Sequence, residues 1–384
     1  MCIDKECSCH FCKGILCGGS ECAICAQTPY CLKCYRNTKK EETSLIMGNG
    51  IILSHPEHAC EFKFNYRKIE SHLIEVYKKH YQKANPECPE KLLNIIRLEL
   101  SFEILKYYIK KLRKTDFKID KIKNFIKYYR NIFNLNYDPI LYKSIFSNPS
   151  GKESNFKDGF KGEDKIPADE IEKRIKEDNK KSNLYYLHGA FHILYVYDSK
   201  KKQGNSAHYY KKIKSGGDIL TDIENKYEEI INSFRENPDL IKPDQSYEDI
   251  LYVIESKSRN KKAWIERDPY LDFCYSELGK QKNILTLGCS FANDEHILEK
   301  ILLNKNLEHL TIGLYQNSDK KNVCKAIRKI KESHLVTKNK TEENNKKYQN
   351  KTVGKKSELK ETLAENINKI RFVCTKNLSE ILWD

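Results

Sequence analysis

Along this chain, short apolar runs bounded by Gly, Asn or Asp alternate with longer lysine-rich stretches whose apolar positions recur every three or four residues. The first pattern reads as buried strand and the second as helix with one apolar face. Strand-like runs begin at Ser44, Asn131, Leu184, Ile250, Asn283, Leu310 and Ile370. Helical spacing runs through 89–133, where Leu92, Leu93, Ile95, Ile96, Leu98 and Leu100 open an apolar face, and further helices are expected over 66–81 and 270–278. Strands separated by helical stretches predict an α/β fold built on a doubly wound parallel sheet. Residues 199–217, rich in Lys, Gly and Ser, read as a surface loop or hairpin excursion. In 337–356 only Tyr348 and Val353 are apolar or aromatic, so a solvated, mobile insertion is expected there.

Composition narrows the class. With 39% apolar and 32% charged residues, 384 positions suffice for a buried core, which excludes wholesale disorder. That length suits two or three units, or one large unit with an appendage. No stretch reaches about 18 uncharged apolar residues, and the N-terminus opens on Met-Cys-Ile-Asp-Lys. No membrane span and no secretory signal are expected, and a cytoplasmic location follows as the expectation. The formal charge of +15 invites nucleic-acid binding, but basic residues are spread among acidic ones instead of forming a stripe. Charge therefore leaves nucleic acid open as a partner without pointing to it.

Nine of the fifteen cysteines fall within the first 34 residues. In a reducing compartment such density points to metal ligation. Three C-x-x-C pairs stand out: Cys9 with Cys12, Cys22 with Cys25, and Cys31 with Cys34. Each presents two sulfurs from one tight turn. With Cys17, Cys7 and His10 nearby, the ligands suffice for two zinc ions, and spacing does not say which pairs share one. A structural zinc module over 1–40 is expected, because no open-site His/Glu set accompanies the cysteines. An iron–sulfur cluster is the alternative. The polar run 36–43 then links this module to a second unit over 44–384.

Several strand ends carry polar or glycine residues. The first run leads to Gly48-Asn49-Gly50, an arrangement that lets backbone N–H groups meet a pyrophosphate. The second ends on Asn134-Leu-Asn136-Tyr-Asp138 before Pro139, which puts polar side chains at a carboxyl edge, although a plain turn would look similar. The third is interrupted at His188-Gly189, where the imidazole reads as a core histidine or as a catalyst beside a close backbone approach. The run at Asn283 leads to Gly288-Cys-Ser290 and then to Asp294-Glu-His296.

This ordered series, with Asp158-Gly159-Phe160 between the second and third members, resembles the sirtuin-like NAD-binding superfamily. More closely, it resembles an uncharacterised bacterial and phage branch with a GNG turn, a TTNYD-type strand end, an LHGA-h-H run and a late G-x-S-x-x-x-D-x-H-I, although Asn134 and Leu135 stand where that branch carries threonines. The likeness spans 44–384. It implies a Rossmann-like fold, NAD as ligand or substrate, and cleavage between nicotinamide and ribose. Asn136 then matches the asparagine that holds ribose hydroxyls or the attacking water. His188 matches the histidine that acts on ribose hydroxyls or as general base, and an imidazole at its ordinary value near 6.5 suits that work. Asp138 would orient the loop, and Gly48, Asn49 and Gly50 would admit the pyrophosphate. Gly288 and Ser290 would contact the adenosine half, with Gly189 and Asp294 beside the cofactor.

Sirtuin deacylases carry their zinc module as an insertion within the chain, whereas these cysteines precede the NAD fold. NAD hydrolysis is therefore favoured over acyl-lysine deacylation. Kinship suggests an NAD-depleting effector in phage defence, with room for activation by a homo-oligomer or a protein trigger. The competing class is a non-catalytic module that binds an ADP-ribose-type ligand and uses its zinc knuckles for protein or nucleic-acid contacts.

Overall fold

A computed structural model describes residues 30–31, 43–48, separate positions within 102–114, and 119–146, 154–160, 165–177, 180–197, 208–213, 218–236, 247–253, 258–315, 317–341 and 349–375. Of the expected zinc ligands, Cys9, Cys12, Cys17, Cys22, Cys25 and Cys34 all lie outside the described residues. Cys31 falls within them and belongs to a two-residue strand, β1 (Tyr30–Cys31). The backbone there is extended and in register with Val373 and Cys374, so at this position the chain adds to a sheet edge.

Seven further strands build one all-parallel sheet. They are β2 (Thr43–Met47), β3 (Asn131–Asn134), β4 (Phe156–Lys157), β6 (Ser182–Tyr186), β10 (Asn283–Leu287), β11 (His309–Leu314) and β12 (Ile370–Cys374). Their order is β12-β11-β10-β2-β3-β6-β4, with β1 paired outside β12. Every neighbouring pair is parallel. Starting at β2, the chain builds outward through β3 and β6, then returns to lay down β10, β11 and β12 on the other side. The strand order thus reverses between β2 and β10. All five residues of β2 are buried, as a central strand covered on both faces requires.

A second, antiparallel sheet has the order β5-β8-β7-β9, from β5 (Ile166–Pro167), β7 (Gly189–Tyr197), β8 (His208–Lys212) and β9 (Tyr247–Tyr252). It corrects the purely parallel reading of the strand-like runs. The run beginning at Leu184 divides at His188: its first half belongs to the parallel sheet and its second half to the antiparallel one. The run containing Ile250 pairs with β7 as well. Alternating or continuous apolar residues mark a strand but carry no record of its partner's direction. The β7–β8 pairing realises the hairpin alternative for the lysine-rich excursion.

Helices pack around these sheets: α1 (Ile119–Ile126), α2 (Ile140–Phe146), α3 (Ala168–Glu177), α4 (Ile219–Glu236), α5 (Ser258–Ile265), α6 (Pro269–Leu278), α7 (Glu295–Leu302), α8 (Asn317–Thr341) and α9 (Gln349–Asn368). Residues 337–341 continue α8, and 349–356 begin α9. At α6, Asp268 caps the first turn by accepting from Leu271 N at 2.9 Å, and Pro269 follows at the position that needs no N–H donor. Phe102, Leu105, Ile109 and Leu112, spaced three and four apart, pack with Ile223, Tyr227, Phe191 and Tyr252 in a second core cluster. Asp158 ties the two sheets: it is buried, accepts from Phe160 N at 3.1 Å, and pairs with Lys212 of β8 at 3.1 Å. Among the described residues no helix is long and apolar enough to cross a membrane.

Candidate functional site

The parallel strands β2, β3, β6 and β10 end along one edge, and in an open α/β sheet the crevice for a ligand opens where the strand order reverses. Here that point lies between the ends of β2 and β10. Gly48 N donates to the Leu287 carbonyl at 2.8 Å, so the backbones meet directly. A Cβ at Gly48 would stand 2.6 Å from the Gly288 oxygen and 2.8 Å from Cys289 Sγ, closer than any side chain tolerates. Gly48 is thus required by packing of one strand end on the other. Asn49 and Gly50 lie outside the described residues.

At the end of β3 the chain is shaped by its own amides. Asn134 Nδ2 donates to the Asn136 carbonyl at 3.0 Å, and Asn136 N donates to Asn134 Oδ1 at 3.2 Å. These bonds hold Asn136 buried at the edge, where its side-chain Oδ1 has no hydrogen-bond partner among the described residues. A buried amide oxygen in that state is costly unless a ligand or water completes it. Two residues on, Asp138 Oδ1 accepts from Ile140 N at 2.9 Å and opens α2, while Oδ2 is likewise buried and unpartnered among the described residues. Burial raises the Asp138 carboxyl from its ordinary 3.8 to about 6, against the opposing pull of backbone N–H bonds at Ile140 and at Asp138 itself.

His188 sits where the chain leaves one sheet for the other. Leu187 N donates to the Asn134 carbonyl at 2.9 Å, Val253 N donates to the His188 carbonyl at 2.8 Å, and Tyr137 Oη donates to the Val253 carbonyl at 2.8 Å. The imidazole is 2% exposed and lies over the Tyr137 ring at 6.2 Å. Gly189 follows with φ +75, and a Cβ there would come within 2.0 Å of the Leu251 carbonyl oxygen. Its α-carbon faces β9, so strand packing alone demands glycine at this position.

The loop after β10 is bent by two left-handed residues, Gly288 at φ 68 and the buried Phe291 at φ 56. Positive φ at a phenylalanine stores strain, a feature that clusters at functional sites. Ser290 is exposed, and its Oγ accepts from Ala292 N at 3.4 Å. Asp294, at the start of α7, pairs with the buried Lys261 at 2.9 Å and lies 3.8 Å from His188 Nε2. His296 Nε2 faces His188 Nε2 at 3.4 Å. On its far side Ser258 Oγ stands 2.8 Å from His296 Nδ1 and accepts from His296 N at 2.8 Å.

Electrostatically the two histidines differ from free imidazole. Burial, then the Lys261 ammonium, lowers His188 to about 3, opposed by a hydrogen bond to the Leu135 backbone. Burial, then the neighbouring His188, lowers His296 to about 3, with Asp294 opposing. Both rings are neutral at physiological pH. The expectation of an unperturbed His188 is therefore corrected: removal from water disfavours the imidazolium, and a base this weak is better suited to accepting a hydrogen bond than to holding a proton.

The edge thus brings together Gly48, Asn136, Asp138, His188, Gly288 and Asp294. Sequence reasoning assigned no role to His296, Ser258 or Lys261. His296 could have been found from its D-x-H spacing to Asp294. Lys261 carries no signal, being one basic residue among 69.

Residues 108–349 match the family model described as a domain of unknown function, DUF4917. No curated protein and no solved structure matches the chain.

Proposed function

The chain belongs to the DUF4917 family, and we propose that it binds NAD in a sirtuin-like, Rossmann-like arrangement and hydrolyses the bond between nicotinamide and ribose. One observation carries this reading. Four separated sequence segments, ending at Gly48, Asn136, His188 and Gly288, lie along the carboxyl edges of neighbouring parallel strands β2, β3, β6 and β10, at the reversal of strand order. In this reaction water adds to the ribose anomeric carbon, nicotinamide leaves with the electrons of the broken bond, and a proton passes to solvent.

The chain's own groups divide the work as follows. The closely packed strand ends at Gly48 and Gly288 form the edge on which the pyrophosphate would rest. Asn136 Oδ1, buried and unpartnered among the described residues, accepts from a ribose hydroxyl or from the attacking water. His188, held neutral, accepts a second hydroxyl proton as a hydrogen bond. Asn134 holds the turn that carries Asn136, and Asp138 anchors the start of α2 just beyond it. The test is direct: purified protein is incubated with NAD, and nicotinamide, ADP-ribose and cyclic products are separated by chromatography. Release of nicotinamide that Asn136→Ala abolishes supports the reading.

A second reading is favoured by one specific observation, the pair of histidines both lowered to about 3. Groups so hard to protonate suit a binding module that recognises an ADP-ribose-type ligand without turning it over. Tight ADP-ribose binding with no nicotinamide release under any activating condition would select it.

A further inference from the structure

His188 and His296 come from distant parts of the chain, the end of β6 and the first turn of α7, yet their Nε2 atoms stand 3.4 Å apart. Asp294 Oδ1 lies 3.8 Å from His188 Nε2, and the three possible ligand atoms all fall within 4.8 Å of one another. A neutral imidazole presents one ring-nitrogen lone pair to a cation. Each ring is also held from outside the cluster: Ser258 Oγ contacts His296 Nδ1 at 2.8 Å, and His188 hydrogen-bonds to the Leu135 backbone. Outer partners of this kind orient metal-ligating imidazoles and fix which nitrogen faces the ion. Two nitrogens each about 2.0–2.1 Å from one zinc-sized ion at a tetrahedral angle stand about 3.4 Å apart, the separation found here.

We propose that His188, His296 and Asp294 form a site for one divalent transition-metal ion, of zinc or cobalt type, distinct from the N-terminal cysteines. Two imidazoles and one carboxylate are the ligand types such ions take, and three protein ligands among the described residues are the number that leaves a fourth position for water. Lys261, 2.9 Å from Asp294 Oδ1, fixes the carboxylate's place, and its positive charge tempers the affinity. An ion here occupies the lone pair that the hydrolase reading gives to His188, so zinc inhibits turnover. That consequence rests on the hydrolase reading; the presence of the site does not.

The competing arrangement is a hydrogen-bond relay without metal, in which the Ser258 hydroxyl donates to His296 Nδ1 and His296 Nε2–H donates to His188. The full-length protein, stripped with a chelator and reloaded with Co2+, separates the two. Because the cysteine-rich N-terminus is expected to take metal too, wild type is compared with His296→Gln and Asp294→Asn by elemental analysis and absorption spectroscopy. Wild type should retain one more Co2+ per chain than folded His296→Gln, adding visible absorption without a thiolate-to-cobalt band. Asp294→Asn should bind that ion at least tenfold more weakly. If His296→Gln does not fold, Ser258→Ala, which removes the contact to His296 Nδ1 and the acceptor for His296 N but no ligand atom, should weaken the ion about 10- to 100-fold. Equal cobalt in wild type and folded variants, or an extra ion with thiolate bands, overturns the proposal. NAD turnover does not enter these readouts, so failure of the hydrolase reading leaves them intact.

Discussion

Gly48 and Gly288 lie in contact across the reversal of strand order, the amide of Gly48 bonded to Leu287 and its α-carbon directed at the Gly288 carbonyl oxygen. The obstacle to a side chain at Gly48 is backbone, which cannot rotate away. Gly48→Ala should therefore spread β2 from β10, lowering stability by about 1–3 kcal/mol in urea unfolding and weakening ADP-ribose binding in calorimetry. A variant that unfolds and binds as wild type does would show that the crevice does not start at this contact.

Asp138 should trade stability for function. Its carboxyl is raised by burial from 3.8 to about 6. Between those values the native state binds the proton more tightly than the unfolded chain, so this group's contribution to stability falls as pH rises from about 4 to about 6 and stays low above. Asp138→Asn keeps the oxygen that accepts from Ile140 N and removes the buried charge. The variant should be more stable than wild type at pH 8 by up to about 3 kcal/mol, with the difference vanishing near pH 4. Denaturant melts at both pH values check this, and a variant less stable at pH 8 defeats it.

If the protein cleaves NAD, Asn136→Ala and His188→Ala should each reduce turnover about 10²-fold or more while leaving NAD binding within about tenfold. Single-turnover kinetics beside binding measurements on variants shown to be folded make the test. Turnover that survives His188→Ala removes His188 from the reaction.

Gly189→Ala should be among the most damaging substitutions in the chain. It adds a Cβ at φ +75 that meets the Leu251 oxygen at 2.0 Å, so β6, β7 and β9 can no longer join as they do. A loss of at least about 3 kcal/mol is expected, read as a lowered unfolding midpoint. Unchanged stability would mean that the strands can separate there without cost.

The N-terminal cysteines should hold zinc as purified, measured by elemental analysis, and replacing Cys22, Cys25, Cys31 and Cys34 by serine should release it. Freely titrating thiols in metal-free protein would defeat this expectation.

What the sequence by itself determined was local. The apolar runs of β2, β3, β10, β11 and β12 were legible because a strand covered on both faces is largely apolar, and the helix expected over 270–278 is α6. The residues at strand ends, Gly48, Asn136, His188 and Gly288, were legible for the same reason: polar or glycine positions interrupt an apolar pattern. Tertiary structure alone decided which strands became neighbours and in which direction, because the period of a strand is the same in either sheet. It sent the chain after His188 into the antiparallel sheet and gave Gly189 its packing role. It also brought His296 to His188 across 108 residues of chain, with Ser258 on His296 and Lys261 on Asp294, and burial there lowered the His188 imidazole from its ordinary value to about 3. Desolvation depends on what surrounds a group in space, and a sequence records only what precedes and follows it.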